Sequence, residues 1–481
     1  MESEMLLEKC IKSGLRSCST LARAELRGGL RDIPAPKGLP LLGTLPQLLA
    51  AGSASRLHEY IDNRHRSLGP VFREAVGPVR AVFLCDPDDM RAVFSPRAEG
   101  RRPRHVLPDS WLLHNRRSGA ERGLLFMDGE EWWHFRRLMN KLLMGKDLNW
   151  LGAPLDICLD KLITDWGKDL QTGESKNIVD LEQNLYRLSI DVMVAALLGS
   201  AYKPSRDILE PTLEKFGRIV HEVFLHSAKL TVIPAEIAEK FQLPAWRRFV
   251  RAVDTTLSLG NMLVNKILDE CPEGDGLMAG MINEGVSRSD IQRIVTDLVI
   301  AAGDTTAFTT QWALLLLAKN SHQQNKVRND ILNGNRGLTK GVLRETLRLY
   351  PVATFITRFL AQDMLLGGYS IPEGTLTICS LYTAGRDPEN FARPQEFLPE
   401  RWCRNDALAG EGLLRAHASI PFALGSRSCI GQRIANMQIQ ETLAKLLESF
   451  TIECTNTNKI EMVMRMVAVP SEPVKLKITK L

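Results

Sequence analysis

Apolar residues recur at helical spacing along most of the chain, and short alternating runs interrupt that pattern in only a few places. Residues 155–270 are mostly amphipathic helix, and a further amphipathic stretch runs from Ile434 to Phe450. Val71–Ala75 and Val79–Cys85 have the pattern of short strands, as does the region near Val467–Ile478. The periodicity predicts a mainly α fold with a small β region.

The longest predicted helix begins at a capping box formed by Ser289 and Gln292 and continues to about Asn320. At 1.5 Å per residue, a helix of roughly 30 residues is about 45 Å long. A helix of that length has to cross the core of the whole molecule.

The middle of this helix carries the pair Asp304-Thr305, preceded by Ala301, Ala302 and Gly303. An acid buried in an apolar helix is costly unless it is hydrogen-bonded or has a task. A threonine hydroxyl can bond a preceding carbonyl and open the helix to water. We therefore predict that Asp304 and Thr305 handle protons; the alternative is a kinked helix with a satisfied aspartate.

The strongest local signal is the segment from Phe422 to Gly431, F-A-L-G-S-R-S-C-I-G, which contains Gly425, Arg427 and Cys429. A cysteine thiolate is an electron-donating ligand for haem iron and favours cleavage of a bound O–O bond. Flexible glycines and a following helix N-terminus would stabilise the thiolate. The alternative is a buried, inert cysteine before a helix.

Composition narrows the function classes further. The 481 residues include 61 basic and 56 acidic ones, a net charge of +5 that is too small to indicate nucleic-acid binding. Nine scattered cysteines without a C-x-x-C pair argue against a disulfide framework or a zinc site. No run reaches 18 consecutive apolar residues, so we expect no membrane-spanning helix.

The F-x-x-G-x-R-x-C-x-G spacing resembles the haem-binding loop of the cytochromes P450. The resemblance implies that family's fold, with haem b between the long central helix and the cysteine loop with its following helix. It implies Cys429 as the axial iron ligand, with Asp304 and Thr305 delivering protons. Ala302 departs from the family's usual glycine. The haem contacts implied by the resemblance are Trp132, Arg136, Arg358, Phe422, Gly425, Arg427 and Cys429.

Trp132 and Arg136 lie four residues apart and therefore share one face of a predicted helix. An indole N–H and a guanidinium suit the two carboxylates of haem. The same spacing also marks an ordinary edge of a core. Between Arg101 and Arg122, upstream of this helix, the chain has no periodicity and is expected to be a loop.

The family resemblance also implies a buried structural triad of Glu345, Arg348 and Arg401. Without it, an acid and a base three residues apart would mean little. Lys340 and Arg344, one turn apart on the same helix, match the basic pair with which mitochondrial family members dock their ferredoxin. Arg433 would extend that patch. The chain has no G-x-G-x-x-G fingerprint and no iron–sulfur cysteine set, so an external, adrenodoxin-like electron donor with its reductase is expected.

Residues 1–33 are basic and contain serine, which is typical of mitochondrial targeting segments, although four glutamates dilute the pattern. A frayed cytosolic terminus is the alternative. From Pro34, a proline-rich lead resembles the hinge that opens the family's catalytic domain, which would occupy residues 34–481. The expected subcellular location is the matrix side of the mitochondrial inner membrane, with peripheral association. The endoplasmic reticulum is the alternative.

Within the mitochondrial group, Ala301–Thr306 and Leu381–Pro388 resemble the insect ecdysteroid 2-hydroxylases. The function expected from the resemblance is hydroxylation of a steroid with O2, at carbon 2 of an ecdysteroid. The alternatives are another mitochondrial sterol or xenobiotic hydroxylase, a haem-thiolate isomerase or dehydratase that needs no electron donor, and a helical sterol-binding protein without activity.

Overall fold

The structure is a computed structural model that describes residues 27–100, 103–104, 106–145, 147–231, 233–403 and 415–481. Helices dominate the described residues. The α-helices are Leu45–Ala50, Leu57–Leu68, Pro87–Val93, Pro96–Glu99, Asp109–Ser118, Gly129–Leu143, Gly152–Gly167, Leu181–Leu198, Tyr202–Leu230, Ala235–Lys240, Pro244–Glu270, Leu277–Asn283, Arg288–Lys319, Ser321–Leu332, Gly337–Leu349, Leu381–Ala384 and Gln432–Ser449.

The central helix, Arg288–Lys319, is 32 residues long and packs against helices Leu181–Leu198 and Pro244–Glu270. Its cap is Ser287, whose hydroxyl accepts a hydrogen bond from the amide of Asp290 at 3.1 Å. The prediction of Ser289 as the cap was therefore wrong by two residues. Ser287 has the extended backbone that a cap requires, whereas Ser289 already lies inside the helix.

Short strands form four small sheets at the edges of the helical body. The strands are β1 (Gly28–Gly29), β2 (Val71–Val76), β3 (Val79–Leu84), β4 (Ser175–Asn177), β5 (Phe355–Phe359), β6 (Met364–Leu366), β7 (Tyr369–Ile371), β8 (Leu376–Ser380), β9 (Phe450–Cys454), β10 (Met462–Arg465), β11 (Val467–Pro470) and β12 (Leu476–Lys480). The largest sheet has the order β2-β3-β8-β5, and the others are β1-β7-β6, β4-β12-β9 and β10-β11. The mainly α fold with a small β region is confirmed.

The central helix is tied to the β region by Trp312. Its indole N–H donates to the carbonyl of Ala468 at 3.1 Å, and its ring stacks on Tyr350 with centroids 4.0 Å apart. Both interactions lie in the core, where an unpaired indole N–H would be costly. They fix the C-terminal half of the helix, so that its middle is held in one place.

The segment between Arg101 and Arg122, expected to be a loop, contains the helix Asp109–Ser118. The helix follows Pro108 and ends at Gly119 in the left-handed conformation, which is a common helix end. Trp111 is buried on it, and its indole N–H donates to the hydroxyl of Ser227 at 2.5 Å. This ten-residue segment, with two arginines near its end, was too short and too polar for its helical period to be recognised.

The predicted targeting segment, residues 1–33, lies mostly outside the described residues. Its last part is described and folded: Gly28 and Gly29 pair in parallel with Tyr369 and Ser370. Ile33 is buried in a small core with Val71 and Leu84. The packed body therefore includes residues from Arg27 onward.

One stretch of helix in the described chain, Leu181–Leu230, is long and apolar enough by composition to cross a membrane. Its most apolar window is 89% buried inside the protein. This apolar surface is covered by neighbouring helices, as in the core of a large helical domain.

Candidate functional site

The cysteine loop, Phe422–Gly431, is closed by its own backbone. The amide of Cys429 donates to the carbonyl of Phe422 at 2.9 Å, and the amide of Ser428 donates to the carbonyl of Gly425 at 3.2 Å. Helix Gln432–Ser449 begins directly after the loop. Cys429 is exposed to solvent, although many protein atoms lie near its thiol.

Opposing effects act on the Cys429 thiol. Burial raises its pKa, while the backbone N–H groups of Gly431 and Gln432 and the charge of Arg136 lower it. These donors come from the N-terminus of the following helix and from a neighbouring guanidinium, which are the features that stabilise a thiolate. Burial outweighs these donors, so the pKa of the Cys429 thiol is raised above its ordinary value, and an electropositive partner such as a metal would be needed to favour the thiolate.

The described cysteines differ in accessibility. Cys85, Cys158 and Cys379 are buried, and burial raises the pKa of Cys85 and Cys379 well above the ordinary value. Cys429 is the exposed one among the described cysteines. Its role as the iron ligand stays a prediction.

Arg427 is almost completely buried beside the tryptophan helix, Gly129–Leu143. Its guanidinium donates to the carbonyls of Pro103 and Met127 at 2.7 and 2.8 Å, pairs with Asp128, and lies 4.1 Å from the centre of the Trp132 ring. Burial lowers its pKa to about 10; Asp128 opposes this shift, whereas Arg358 and Arg136 add to it.

Trp132 and Arg136 lie on the buried face of the same helix, as their spacing predicted. Arg136 donates to the hydroxyl of Ser428 at 3.4 Å, and its Nε is buried without a hydrogen-bond partner. Burial lowers the pKa of Arg136, and the charges of Cys429 and Glu99 oppose that change. The guanidinium therefore has unused donor capacity next to the cysteine loop.

Arg358, on β5, is held by Glu99. Its Nε donates to Glu99 at 2.8 Å, and the second carboxylate oxygen accepts from the amide and hydroxyl of Ser426 at 2.9 and 2.8 Å. A Cβ on Gly425 would lie 2.4 Å from this carboxylate, and Gly425 has a φ of +79°. Glycine is required there for both reasons.

The central helix exposes one face in its middle and buries the other. Ala301 is exposed and Ala302 and Thr305 are partly exposed, although the helix around them is buried. The Thr305 hydroxyl donates to the carbonyl of Ala301 at 2.9 Å. This hydroxyl-to-carbonyl bond is the one expected from the sequence, and its face is the one open to a flat ligand.

Gly303 and Asp304 face the opposite way. A Cβ on Gly303 would lie 2.6 Å from the hydroxyl of Tyr186, so this glycine admits a tyrosine rather than a ligand. Asp304 is 1% exposed and lies 3.7 Å from Nδ1 of His221. Asp304 and Thr305 are neighbours in sequence, but the structure directs their side chains to different surroundings.

The structure brings Glu345, Arg348 and Arg401 together in the core. Arg348 donates to both oxygens of Glu345, at 2.7 and 2.9 Å, and Arg401 donates to one of them at 3.0 Å. The indole of Trp402 and the amide of Leu398 donate to the same carboxylate at 2.9 and 3.1 Å. Trp402 was not predicted, although it directly follows Arg401.

The predicted docking residues differ in their surroundings. Lys340 and Arg344 are exposed on helix Gly337–Leu349, and the Arg344 guanidinium covers the Trp402 ring at 4.5 Å. Arg433 donates to the carbonyls of Leu143 and Met144 at 3.1 and 3.0 Å, at the end of the tryptophan helix. Arg433 is therefore engaged with that helix, whereas Lys340 projects into solvent.

The sequence interpretation missed some residues of this region. Glu99 organises Arg358 and Ser426, but a single acid in a short helix gives no sequence signal. The buried pair of Arg122 and Asp297, 2.6 Å apart, joins the segment before the tryptophan helix to the central helix. An acid seven residues before Asp304 could have been noticed, but its partner is distant in sequence.

The family model for Cytochrome P450 matches residues 33–478. The chain belongs to the cytochrome P450 family. It is therefore a P450 monooxygenase that uses haem b, with the P450 fold. Among solved structures, a cyanobacterial P450, "Retinoic acid bound cyanobacterial CYP120A1", is similar with a TM-score of 0.73 and 20% identity, covering 93% of this chain and 99% of that one.

The relatives of this P450 include mitochondrial members. "Cytochrome P450 315a1, mitochondrial" of Drosophila melanogaster is 41% identical over 92% of this chain and 88% of its own length. "Cytochrome P450 11B2, mitochondrial" of Mesocricetus auratus is 29% identical over 88% and 87%. The mitochondrial "Cholesterol side-chain cleavage enzyme" of Oncorhynchus mykiss is 26% identical over 87% and 84%. The chain is therefore a P450 of mitochondrial type, and these names support a mitochondrial location.

The described residues fit haem. The features that suit haem are an accessible thiol beside helix N–H groups, an exposed strip of small residues on the central helix, and the unpartnered Nε of Arg136. Besides burial, the charges of Arg358 and Arg136 lower the pKa of Arg427, so the three cations are close enough to repel one another. The negatively charged propionates of haem would offset this repulsion. Bound there, haem supplies an iron that activates O2 for insertion of one oxygen atom into a C–H bond.

Proposed function

We propose that this chain hydroxylates a steroid, at carbon 2 of an ecdysteroid, with electrons from an adrenodoxin-like ferredoxin. The observation that carries the proposal is the 41% identity to a mitochondrial insect P450. Relatives named for cholesterol and for 25-hydroxyvitamin D support a sterol-like substrate. The Ala301–Thr306 and Leu381–Pro388 segments, which resemble the ecdysteroid 2-hydroxylases, support the finer assignment.

In this proposal Cys429 is the axial ligand of the haem iron, and the loop residues Phe422 and Gly425 shape its surroundings. Thr305, on the accessible face of the central helix, and Asp304, behind it, deliver protons. The hydrogen bond from Thr305 to Ala301 marks where the helix can admit water. The residues proposed to hold the propionates are Trp132, Arg136, Arg358 and Arg427.

The roles of Arg427 and Arg358 are proposed together with their present partners. Each guanidinium has several N–H donors, so Arg427 can hold Asp128 and still face a propionate. Arg358 can likewise keep Glu99. Glu345, Arg348 and Arg401 are proposed to be structural, because their hydrogen bonds are made to one another and to nearby backbone.

For electron delivery, we propose that ferredoxin docks on Lys340 and Arg344, with Arg433 at the edge. A Lys340→Glu variant should bind an acidic ferredoxin at least about tenfold more weakly at low salt, because charge steering is reversed. Lys168→Glu, an exposed lysine on another helix end, is the matched control. Equal affinities of the two variants, measured by surface plasmon resonance, would argue against this docking face.

For the location in the cell, we propose that a mitochondrial targeting extension lies upstream of Arg27, because Gly28 and Gly29 already pair with β7. Peripheral association with the matrix side of the inner membrane is part of this proposal. A fusion of residues 1–26 to a fluorescent reporter should localise to mitochondria. A cytosolic reporter would refute the targeting role, while the chemistry would stand.

The experiment that tests the function is a reconstituted assay with ferredoxin, its reductase, NADPH and 2-deoxyecdysone, with products identified by mass spectrometry. The expected product gains one oxygen atom at carbon 2. A different hydroxylated position, or turnover only of other sterols, would replace the ecdysteroid assignment. Turnover that needs no ferredoxin would instead favour an isomerase or dehydratase.

A further inference from the structure

We propose that His221 is a proton-relay residue that connects a solvent-accessible side cavity, through Glu182, to the buried carboxyl group of Asp304. His221 lies on helix Tyr202–Leu230, and its two ring nitrogens face two different carboxylates. Nδ1 is 3.7 Å from Asp304, and Nε2 is 3.6 Å from Glu182. This inference rests on the proposed role of Asp304 and adds the route by which protons reach it.

Three polar atoms meet here without hydrogen-bond partners. They are the hydroxyl of Tyr186, Nδ1 of His221 and one carboxylate oxygen of Asp304, and each is buried. Unpaired buried polar atoms are unusual in a folded protein, and an explanation is needed for each. The 3.7 Å separation is slightly longer than a hydrogen bond, so a small side-chain rotation or one water molecule would complete it.

A cavity of about 550 Å³ brings solvent to the other side of His221. It lies between the start of helix Leu181–Leu198, helix Tyr202–Leu230 and the segment Pro473–Lys475. Glu182 is partly exposed at its wall, while Tyr186 and His221 line its inner end. The cavity is therefore a water-accessible approach to Asp304 from the side opposite Thr305.

The charges around His221 favour its protonated form. Burial lowers its pKa, but Asp304, Glu182 and Glu222 together outweigh that effect, and the pKa is raised above 6.5. Burial raises the pKa of Asp304, while His221 and Tyr186 oppose the rise. The other charged or titratable groups that line the cavity or act on Glu182 are Asp180, Arg218, Lys475 and Arg465.

The relay step moves one proton at a time. The imidazolium of His221 gives its Nδ1 proton to the carboxylate of Asp304 and remains neutral with a proton on Nε2. Rotation of the ring and transfer of a proton from the cavity, through Glu182, restore the imidazolium. An imidazole is suited to this step because each nitrogen can donate or accept near neutral pH. Asp304 then holds a proton that Thr305 and nearby water would pass on toward the accessible face of the central helix.

The first test needs neither substrate nor ferredoxin. Histidine ring signals of the haem-loaded protein are titrated by NMR, with the His221 signal assigned from its absence in His221→Gln. We expect an apparent pKa above 6.5 that falls in Asp304→Asn and in Glu182→Gln. His65, whose pKa is lowered to about 4 by burial, is the internal control and should not move. A His221 signal that is unchanged in both variants would overturn the proposal.

The second test measures the fraction of electrons that ends in hydroxylated product rather than peroxide, as a function of pH. His221→Gln should lower this fraction by about tenfold, less than the 10²–10⁴ typical of a direct acid–base group, because cavity water partly replaces the ring. We expect this fraction to decline at alkaline pH in the parent protein, as His221 loses its proton, and His221→Gln should remove that decline. His221→Phe keeps the ring volume and should behave likewise. A parental pH profile in both variants, with normal haem content, would overturn the relay.

These outcomes are separable from those of the proposed function. Failure to hydroxylate 2-deoxyecdysone would leave the NMR titration and its interpretation intact. Conversely, if 2-deoxyecdysone is hydroxylated normally but the His221 pKa is the same in Asp304→Asn as in the parent protein, only the relay is refuted.

Discussion

Two clusters of buried charge in this P450 are organised in opposite ways. At Glu345, both carboxylate oxygens accept at least two hydrogen bonds, from Arg348, Arg401, Trp402 and the backbone. At Asp304, one carboxylate oxygen has no hydrogen-bond partner, and the facing His221 nitrogen has none either. A satisfied cluster has one low-energy arrangement, whereas an unsatisfied one can exchange protons and water.

The comparison separates a structural role from a chemical one. The Glu345 cluster joins helix Gly337–Leu349 to the segment Leu398–Trp402, which precedes the cysteine loop in sequence. The Asp304 cluster sits behind the accessible strip of the central helix and borders a cavity. We therefore expect changes in the first cluster to affect folding and haem loading, and changes in the second to affect proton delivery.

The largest effect is expected from Glu345→Ala. Removing the carboxylate leaves Arg348 and Arg401 buried without their counterion, which typically costs about 3–5 kcal/mol. Urea unfolding of the purified protein and its haem content per chain measure the change. A variant with parental stability and full haem content would show that the cluster is dispensable, and the contrast would fail.

The second-largest effect is expected from His65→Gln, on stability at acid pH. His65 is a buried histidine whose ring nitrogens face Ser380 and the carbonyl of Gly69, whereas those of His221 face two carboxylates. Burial lowers the pKa of His65 from 6.5 to about 4. Between these values the unfolded chain binds more protons, so stability falls as pH decreases through this window, by up to about 3 kcal/mol for this residue. His65→Gln should show a shallower loss in urea unfolding between pH 6.5 and 4.

The exposed His322 provides the control for this prediction. His322→Gln should keep the pH slope of the parent protein. Identical slopes in His65→Gln and the parent would mean that His65 is not held neutral. That result would remove the contrast with His221, because burial alone would then not lower the pKa of a histidine in this protein.

The third effect is expected from Gly303→Ala. A Cβ there would lie 2.6 Å from the Tyr186 hydroxyl and 2.8 Å from its ring carbon, so the tyrosine has to move. We expect a loss of about 1–3 kcal/mol in unfolding free energy, typical of overpacking, and a changed His221 titration. A stability equal to that of the parent would indicate that the Tyr186 side chain can move aside without loss of packing.

The smallest effect is expected on the accessible face of the same helix. Ala302→Gly introduces the residue that the family usually has, and should cost about 1 kcal/mol of stability because glycine is a poor helix former. The substitution should leave the His221 titration unchanged, because Ala302 lies on the accessible face of the helix and Asp304 lies on the opposite face. A shift of that titration in Ala302→Gly but not in Gly303→Ala would reverse the assignment of the two helix faces.

Much of the fold was predictable because its signals are local. The period of the central helix, the amphipathic helix after the cysteine loop and the alternation in β2 and β3 all follow from nearby residues. The short helix at Trp111 was missed, since ten polar-rich residues carry little periodicity. The cap at Ser287 was misplaced, because two serines near the helix start both fit a cap by sequence.

The placement of candidate site residues was predictable within one segment, as in the Cys429 loop and on the Trp132–Arg136 helix face, while their haem contacts stay predictions. It was not predictable where partners come from distant parts of the chain. Glu99 meets Ser426 across 327 positions, and His221 meets Asp304 from another helix. The contact between Gly303 and Tyr186 was not predictable either, since it depends on how two helices pack.

The most direct test compares Asp304→Asn with Glu345→Gln in two quantities: haem bound per chain, and product formed per bound haem with ferredoxin and reductase supplied. The prediction is that Asp304→Asn binds haem like the parent protein and loses about 10²-fold or more in turnover, as expected for a group that transfers protons. Glu345→Gln should lose haem but turn over normally with the haem that remains. Full turnover in Asp304→Asn, or equal losses of both quantities in both variants, would contradict the division of roles.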